Sequence, residues 1–171
     1  MEAHDDRIDR VCRAYGEAHR RFVDRLAGVP AERAEAVPSA GGWSAAQIGW
    51  HVAAVDAAFA GLLSGDRPSQ RLADGFREQD WSELAAALPL KLEASRGVTP
   101  PPDVRHADAL SALAESSGKL EAALRALTPD RGAQFGVTHR AIGTVTLYQL
   151  GEWATAHTIR HNAQAKRILQ G

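Results

Sequence analysis

The chain of 171 residues carries 20 Lys plus Arg against 21 Asp plus Glu, a formal charge of −1, and has the length of one domain, residues 1–171, able to bury a substantial core. This balance argues against binding nucleic acid by phosphate neutralisation, and the single cysteine, Cys12, excludes an intramolecular disulfide and a cysteine-based zinc cage. The acidic start MEAHDDRIDR lacks the parts of a signal peptide, and the least polar window, Val52–Leu63, contains Asp56 and is too short to cross a bilayer, so a soluble cytoplasmic protein with no membrane partner is expected.

Ile8, Cys12, Tyr15, His19, Phe22 and Leu26 recur in steps of four and three, the stripe of an amphipathic helix that Gly28 and Pro30 stop. From Val29 to Gly42 no apolar period persists, which predicts a connection with one short helical turn. A second helix is announced by the capping box Ser44 and Gln47, with Trp43 and Ile48 at staple positions. Its inward face runs Ile48, His51, Val52, Val55, Phe59 and Leu62, and Gly65 ends it.

Residues 66–105 read as a long excursion with at most short helices. Pro89 interrupts the run WSELAAALPLKLEAS, Gly97 closes it, and Thr99–Pro102 is a stiff extended spacer. A third helix is predicted from His106 to Leu127, striped by Leu110, Leu113, Ser117, Leu120, Leu124 and Leu127, with Pro129 just beyond. Gly132, Gly136 and Gly143 make the next stretch loop-like; the run GVT could pair locally, but no sheet is expected. The last helix starts at Thr146, capped with Gln149, and faces Leu147, Leu150, Trp153, Ala154, His157, His161, Gln164 and Ile168 inward. Four striped helices predict an all-α four-helix bundle. Short links join helices one to two and three to four, and a long crossover joins two to three, so the expected order is up-down-down-up.

His157 and His161 stand four apart on an apolar helix face, so both imidazoles project toward one point inside the bundle. Buried neutral histidines need partners for their nitrogens, which a metal would supply; the competing reading is a pair at a solvated bundle end bonded to water or backbone. The pair is not the zinc-protease motif, because Thr158 occupies the position of its glutamate. His51 lies roughly 10 Å past the start of its helix and His161 roughly 13 Å before the end of the last, so an antiparallel pairing brings them to one level. Three inward histidines at one depth point to a divalent metal with open coordination positions.

The remaining histidines are weaker candidates: His4, His106 and His139 lie near loops or the terminus and are expected at the solvated surface, while inward-facing His19 is a minor candidate for a fourth ligand. Trp43, Gln47 and Trp50 near the start of the second helix, and Gln164 one turn past His161, are candidate substrate-binding residues. Plain core packing is the competing role for Trp43, Trp50 and Trp153; Arg160, beside the ligands, could hold an anionic substrate, with a solvated surface role as the competing reading. No catalytic acid or base stands at chemical spacing, and Asp56 and Glu152 read as surface carboxylates.

The segments GGWSAAQIGWHVAAVD and LYQLGEWATAHTIRHNAQAKRIL, with RGVTPPPD before the third helix, resemble the DinB/YfiT-like superfamily of metalloenzymes over nearly the whole chain. The resemblance implies the same bundle order, frequent homodimers and a three-histidine site, usually zinc or nickel, with His51, His157 and His161 at the ligand positions. It further implies a low-molecular-weight thiol, since the characterised relatives are S-transferases and thiol-dependent maleylpyruvate isomerases. Thr158 and Arg160 depart from the acidic or histidine residues that relatives often carry between the ligands, so the substrate class is open. The expectation is a metal-dependent enzyme acting on a small molecule, first as a thiol-dependent S-transferase. A metal-dependent hydrolase and a non-enzymatic metal- or ligand-binding stress-response protein are the alternatives. Three histidines suit zinc, nickel, cobalt and iron alike.

Overall fold

A computed structural model describes residues 2–87 and 93–171 and shows a mostly helical chain with one small sheet. In chain order the elements are α1 (His4–Ala27), α2 (Ala31–Glu35), α3 (Ala45–Ser64), β1 (Gln70–Arg71), α4 (Trp81–Ala87), a 3-10 turn (Arg96–Val98), α5 (His106–Arg125), α6 (Pro129–Gln134), β2 (Phe135–His139), β3 (Gly143–Thr146) and α7 (Leu147–Gln170). The predicted break at Pro89 lies outside the described residues.

Side-chain partners fix the directions of the four long helices. His19 meets Leu113 while Arg125 meets Asp9, so α1 and α5 run antiparallel. Arg7 pairs with Glu152 and Arg25 with Asn162, so α1 and α7 run parallel. Phe59 stacks beside Trp153 while His51 meets His157 and His161, so α3 and α7 run antiparallel.

The core divides into two apolar clusters. One joins the N-terminal half of α1 to the C-terminal halves of α3 and α5 and the start of α7, through Tyr15, Leu63, Leu124 and Leu150. The other joins the opposite halves through Phe22, Ile48, Leu113 and Leu169. Buried polar groups lie between them, among them Asp56, Ser116 and Thr158, each less than 5% exposed.

The structure corrects several expectations. A three-stranded antiparallel sheet, β1-β2-β3, stands where a loop is predicted, with Val137 opposite Val145 and Arg71 opposite Phe135. Its strands are short and rich in glycine, and β1 is polar on both faces, so no alternating pattern announces it. Pro129 does not merely follow a helix; with Thr128 as cap it starts α6, the first-turn position where a missing N–H costs nothing.

The apolar helix α3 is longer than the window Val52–Leu63, and by length and composition it could cross a bilayer. Most of its apolar stretch is buried in the protein, against α5 and α7. Asp56, read as a surface carboxylate, is wholly buried. Glu152 is largely buried too, and pairs with Arg7 and Arg10.

Candidate metal centre

The helices that carry the three histidines both begin in complete capping boxes. Ser44 Oγ accepts from the Gln47 N–H at 3.1 Å while the Gln47 side chain accepts from the Ser44 N–H at 2.9 Å. Thr146 and Gln149 exchange the same two bonds at 3.3 and 3.2 Å. Four otherwise orphaned backbone N–H groups are thereby satisfied, and the register of both helices is fixed at the N-terminal end.

His51 on α3 and His157 and His161 on α7 bring one ring nitrogen each to within 4.8 Å of one another. His51 Nε2 and His157 Nε2 are 3.1 Å apart, and the ring centroids of His157 and His161 are 4.4 Å apart. The outer nitrogens decide the tautomers. His51 Nδ1 donates to the Val98 carbonyl at 2.7 Å, so its Nε2 carries a lone pair facing the cluster. His161 Nδ1 bonds the Gln164 side-chain oxygen at 2.8 Å, which likewise frees its Nε2. His157 Nδ1 is buried and has no partner among the described residues.

All three imidazoles are held neutral. Burial pushes His157 well below the ordinary histidine value, and His161, His51 and Arg160 add to the shift. Burial also brings His161 down to about 4, with His51 and Arg160 contributing in the same direction and the Gln164 bond opposing. At His51 burial lowers the value and the bond to Val98 opposes it. Three neutral imidazoles converging on one point, with the lone pairs of His51 and His161 turned inward by their outer bonds, are the donor set that a divalent transition metal takes. The bonds to Val98 and Gln164 are the outer partners that orient such ligands. The residues present therefore fit a metal ion.

A cavity of about 720 Å³ opens beside the histidines, bounded by α3, α7, the segment before α5 and the end of β2. Trp43 lines it, its ring centroid 5.0 Å from that of His51. Trp153 lines it as well, while belonging to the core. Arg160 borders the cavity, and its charge opposes protonation of His157 and His161. Gln164 bears on His161 through the bond already given.

Two of the candidate substrate-binding residues are placed elsewhere. Trp50 adjoins His51 in sequence, but one residue turns a helix by about 100°, and it lines a shallow depression between α3 and α5 with Ala53 and Lys119. Gln47 shares the side of His51, but its amide is taken up by the capping box and by the Pro101 carbonyl at 2.9 Å, so it braces the extended spacer.

The other histidines stand outside the cluster. His19 Nε2 donates to the Leu113 carbonyl at 3.1 Å, so the minor candidate for a fourth ligand is occupied otherwise. His106 donates to the Leu26 carbonyl at 2.7 Å and His4 bonds the Tyr148 hydroxyl at 2.5 Å, both part-buried rather than solvated. His139 accepts from the Ala141 N–H, packs edge-on against Trp153 and lines the cavity. Sequence reasoning missed the Val98 carbonyl, for which no side-chain pattern exists, and also missed Arg67 and Arg140 in the cavity wall.

Fold and site together define a helical protein with an inward three-histidine centre open to a cavity. The sequence profile of the DinB superfamily matches residues 14–165, and the chain belongs to that superfamily. In fold it is similar to a conserved protein from Enterococcus faecalis whose crystal structure is known, with a TM-score of 0.66 and 19% identity over 95% of this chain and 94% of that one. No match was found among curated proteins.

Proposed function

We propose that the protein is a metal-dependent enzyme in which His51, His157 and His161 hold one divalent cation, zinc or nickel, inside an up-down-down-up four-helix bundle. The observation that carries this reading is the convergence of three neutral imidazoles at one edge of a cavity, with two of them oriented by outer hydrogen bonds. A bound cation of this kind supplies Lewis acidity, making a thiol or water nucleophilic at neutral pH. The histidines contribute no charge of their own, so the cation's charge is left for the incoming nucleophile. Trp43 and Trp153 line the cavity beside this point.

The preferred reaction is transfer of a low-molecular-weight thiol to an electrophilic small molecule in the cytoplasm. It rests on superfamily membership together with a centre bearing three protein ligands, which leaves room for an exogenous sulfur. The test is elemental analysis of untagged protein, followed by cobalt substitution and addition of thiols. A sulfur-to-metal absorption band that His157→Ala abolishes is the expected result. Turnover of ester or amide substrates without thiol would favour the hydrolase. A metal that accepts neither thiol nor water would favour the non-enzymatic protein.

A further inference from the structure

Four histidines line the cavity, and three of them converge. The fourth, His139, ends β2 and reaches the wall from the small sheet rather than from a long helix. Val137 lines the cavity with it, two residues earlier and so on the same face of the strand. The His139 ring packs at a steep angle against the indole of Trp153, centroids 5.0 Å apart, and Trp153 in turn meets Phe59 at 5.1 Å. Trp153 also stands one turn before His157 on α7, so a molecule lying against the indole has both imidazoles as neighbours.

The turn after β2 fixes the chemistry of this fourth imidazole. Its Nδ1 accepts from the Ala141 N–H at 3.1 Å, so Nδ1 carries the lone pair and the proton of the neutral ring is on Nε2. Burial, then the charge of Arg140, holds the group below the ordinary histidine value, which keeps the ring neutral at pH 7. Nε2 has no hydrogen-bond partner among the described residues. Its polarity is therefore opposite to that of the metal-type nitrogens: His51 and His161 turn lone pairs inward, whereas His139 has an N–H to give. A neutral imidazole polarises a carbonyl by donating a hydrogen bond without surrendering its proton. The apolar surface beside it suits a ligand with a hydrocarbon or aromatic body.

We propose that His139 is a substrate-binding residue, its Nε2–H donating to the oxygen of an apolar or aromatic carbonyl compound seated against Phe59 and Trp153. That this compound is the electrophile met by a metal-bound nucleophile rests on the metal-enzyme reading; the hydrogen bond does not.

Infrared difference spectra of acetophenone, isotope-labelled at the carbonyl and bound to the full chain, test the proposal on protein as purified and again after chelation. The hydrogen bond should lower the carbonyl stretch relative to an apolar solvent in both preparations. His139→Phe should return the stretch to the apolar value and weaken acetophenone binding about tenfold. Ethylbenzene, which has the same body and no acceptor, should bind that variant and the wild type equally, showing that the wall is intact. His139→Gln keeps an N–H donor and should recover much of the shift. A wild-type stretch at the apolar value would overturn the proposal, since the N–H would then point at the Trp153 ring instead. So would a lowered stretch that survives His139→Phe, a shift that chelation abolishes, or the lack of saturable acetophenone binding. Metal analysis of the purified protein reports separately: absence of metal with the shift intact would remove the enzyme reading and leave the carbonyl site standing.

Discussion

His51 Nε2 and His157 Nε2 lie 3.1 Å apart although 106 positions separate the residues in the chain. The bond from His51 Nδ1 to Val98 removes the proton from one of these facing nitrogens. A lone pair held this close to a second imidazole is satisfied either by a proton on His157 or by a shared cation. A proton on His157 Nε2 satisfies the His51 lone pair alone, whereas a cation takes a lone pair from all three rings.

Purified protein should therefore contain about one divalent metal per chain, and His51→Ala should lose most of it. Metal at about a hundred times its dissociation constant stabilises the fold by about 2.7 kcal/mol. Melting with and without chelator should show this increment in the wild type and not in His51→Ala. An identical metal content in the two proteins would defeat the assignment.

Gln164 should matter to the metal and little to the fold. It is half-buried and holds His161 through Nδ1. Gln164→Ala is expected to weaken metal affinity by about 10–100-fold, as outer partners of ligating histidines do. Chelator competition measures this, and an unchanged affinity would show that His161 is oriented by packing alone.

Asp56 gives the protein an unusual pH response. Its Oδ2 accepts from the Tyr15 hydroxyl at 2.6 Å, while Oδ1 is buried without a partner among the described residues. Burial outweighs the Tyr15 bond and raises the carboxyl from 3.8 to about 7. Between those values the folded protein holds a proton that the unfolded chain releases, so this group's contribution to stability falls as pH rises from about 4 to about 7 and then levels off. The change is on the order of 4 kcal/mol, the roughly three-unit rise at about 1.4 kcal/mol per unit. Asp56→Asn retains an acceptor for Tyr15 and should flatten that part of the profile, as read from denaturant midpoints across the range. An equal slope in both proteins would contradict the assignment.

Two glycines should respond to alanine with opposite signs. A Cβ on Gly136 would lie 2.1 Å from the Val145 carbonyl oxygen across the β2-β3 pairing, so Gly136→Ala should cost about 1–3 kcal/mol. Gly118 sits within α5 with nothing within 4 Å of the added carbon, and Gly118→Ala should gain about 1 kcal/mol. Urea unfolding of both variants compares the effects directly.

The long helices and the ligand candidates were legible because each rests on a local signal. Ser44 with Gln47 and Thr146 with Gln149 mark helix starts by chemistry, and His51, His157 and His161 fall on apolar faces whose period gives their direction. The sheet was hidden because β1 has only Gln70 and Arg71, whose pairing with β2 is decided by tertiary contact. Asp56 was misread because a carboxylate on a helix face carries no mark of the Tyr15 hydroxyl waiting across the core. Trp50 was misplaced by treating nearness in sequence as nearness on a helix surface.

The short stretch that ends at Val98 has two duties that cannot be separated. Its backbone carbonyl sets the proton position on His51, while neighbouring Ser95 and Gly97 form part of the cavity wall. An insertion or deletion here would reshape the cavity wall and simultaneously release the ring of His51 that borders it. Selectivity and ligand orientation are thus inherited together: a variant of this loop that admits a new molecule has also retuned the centre that receives it.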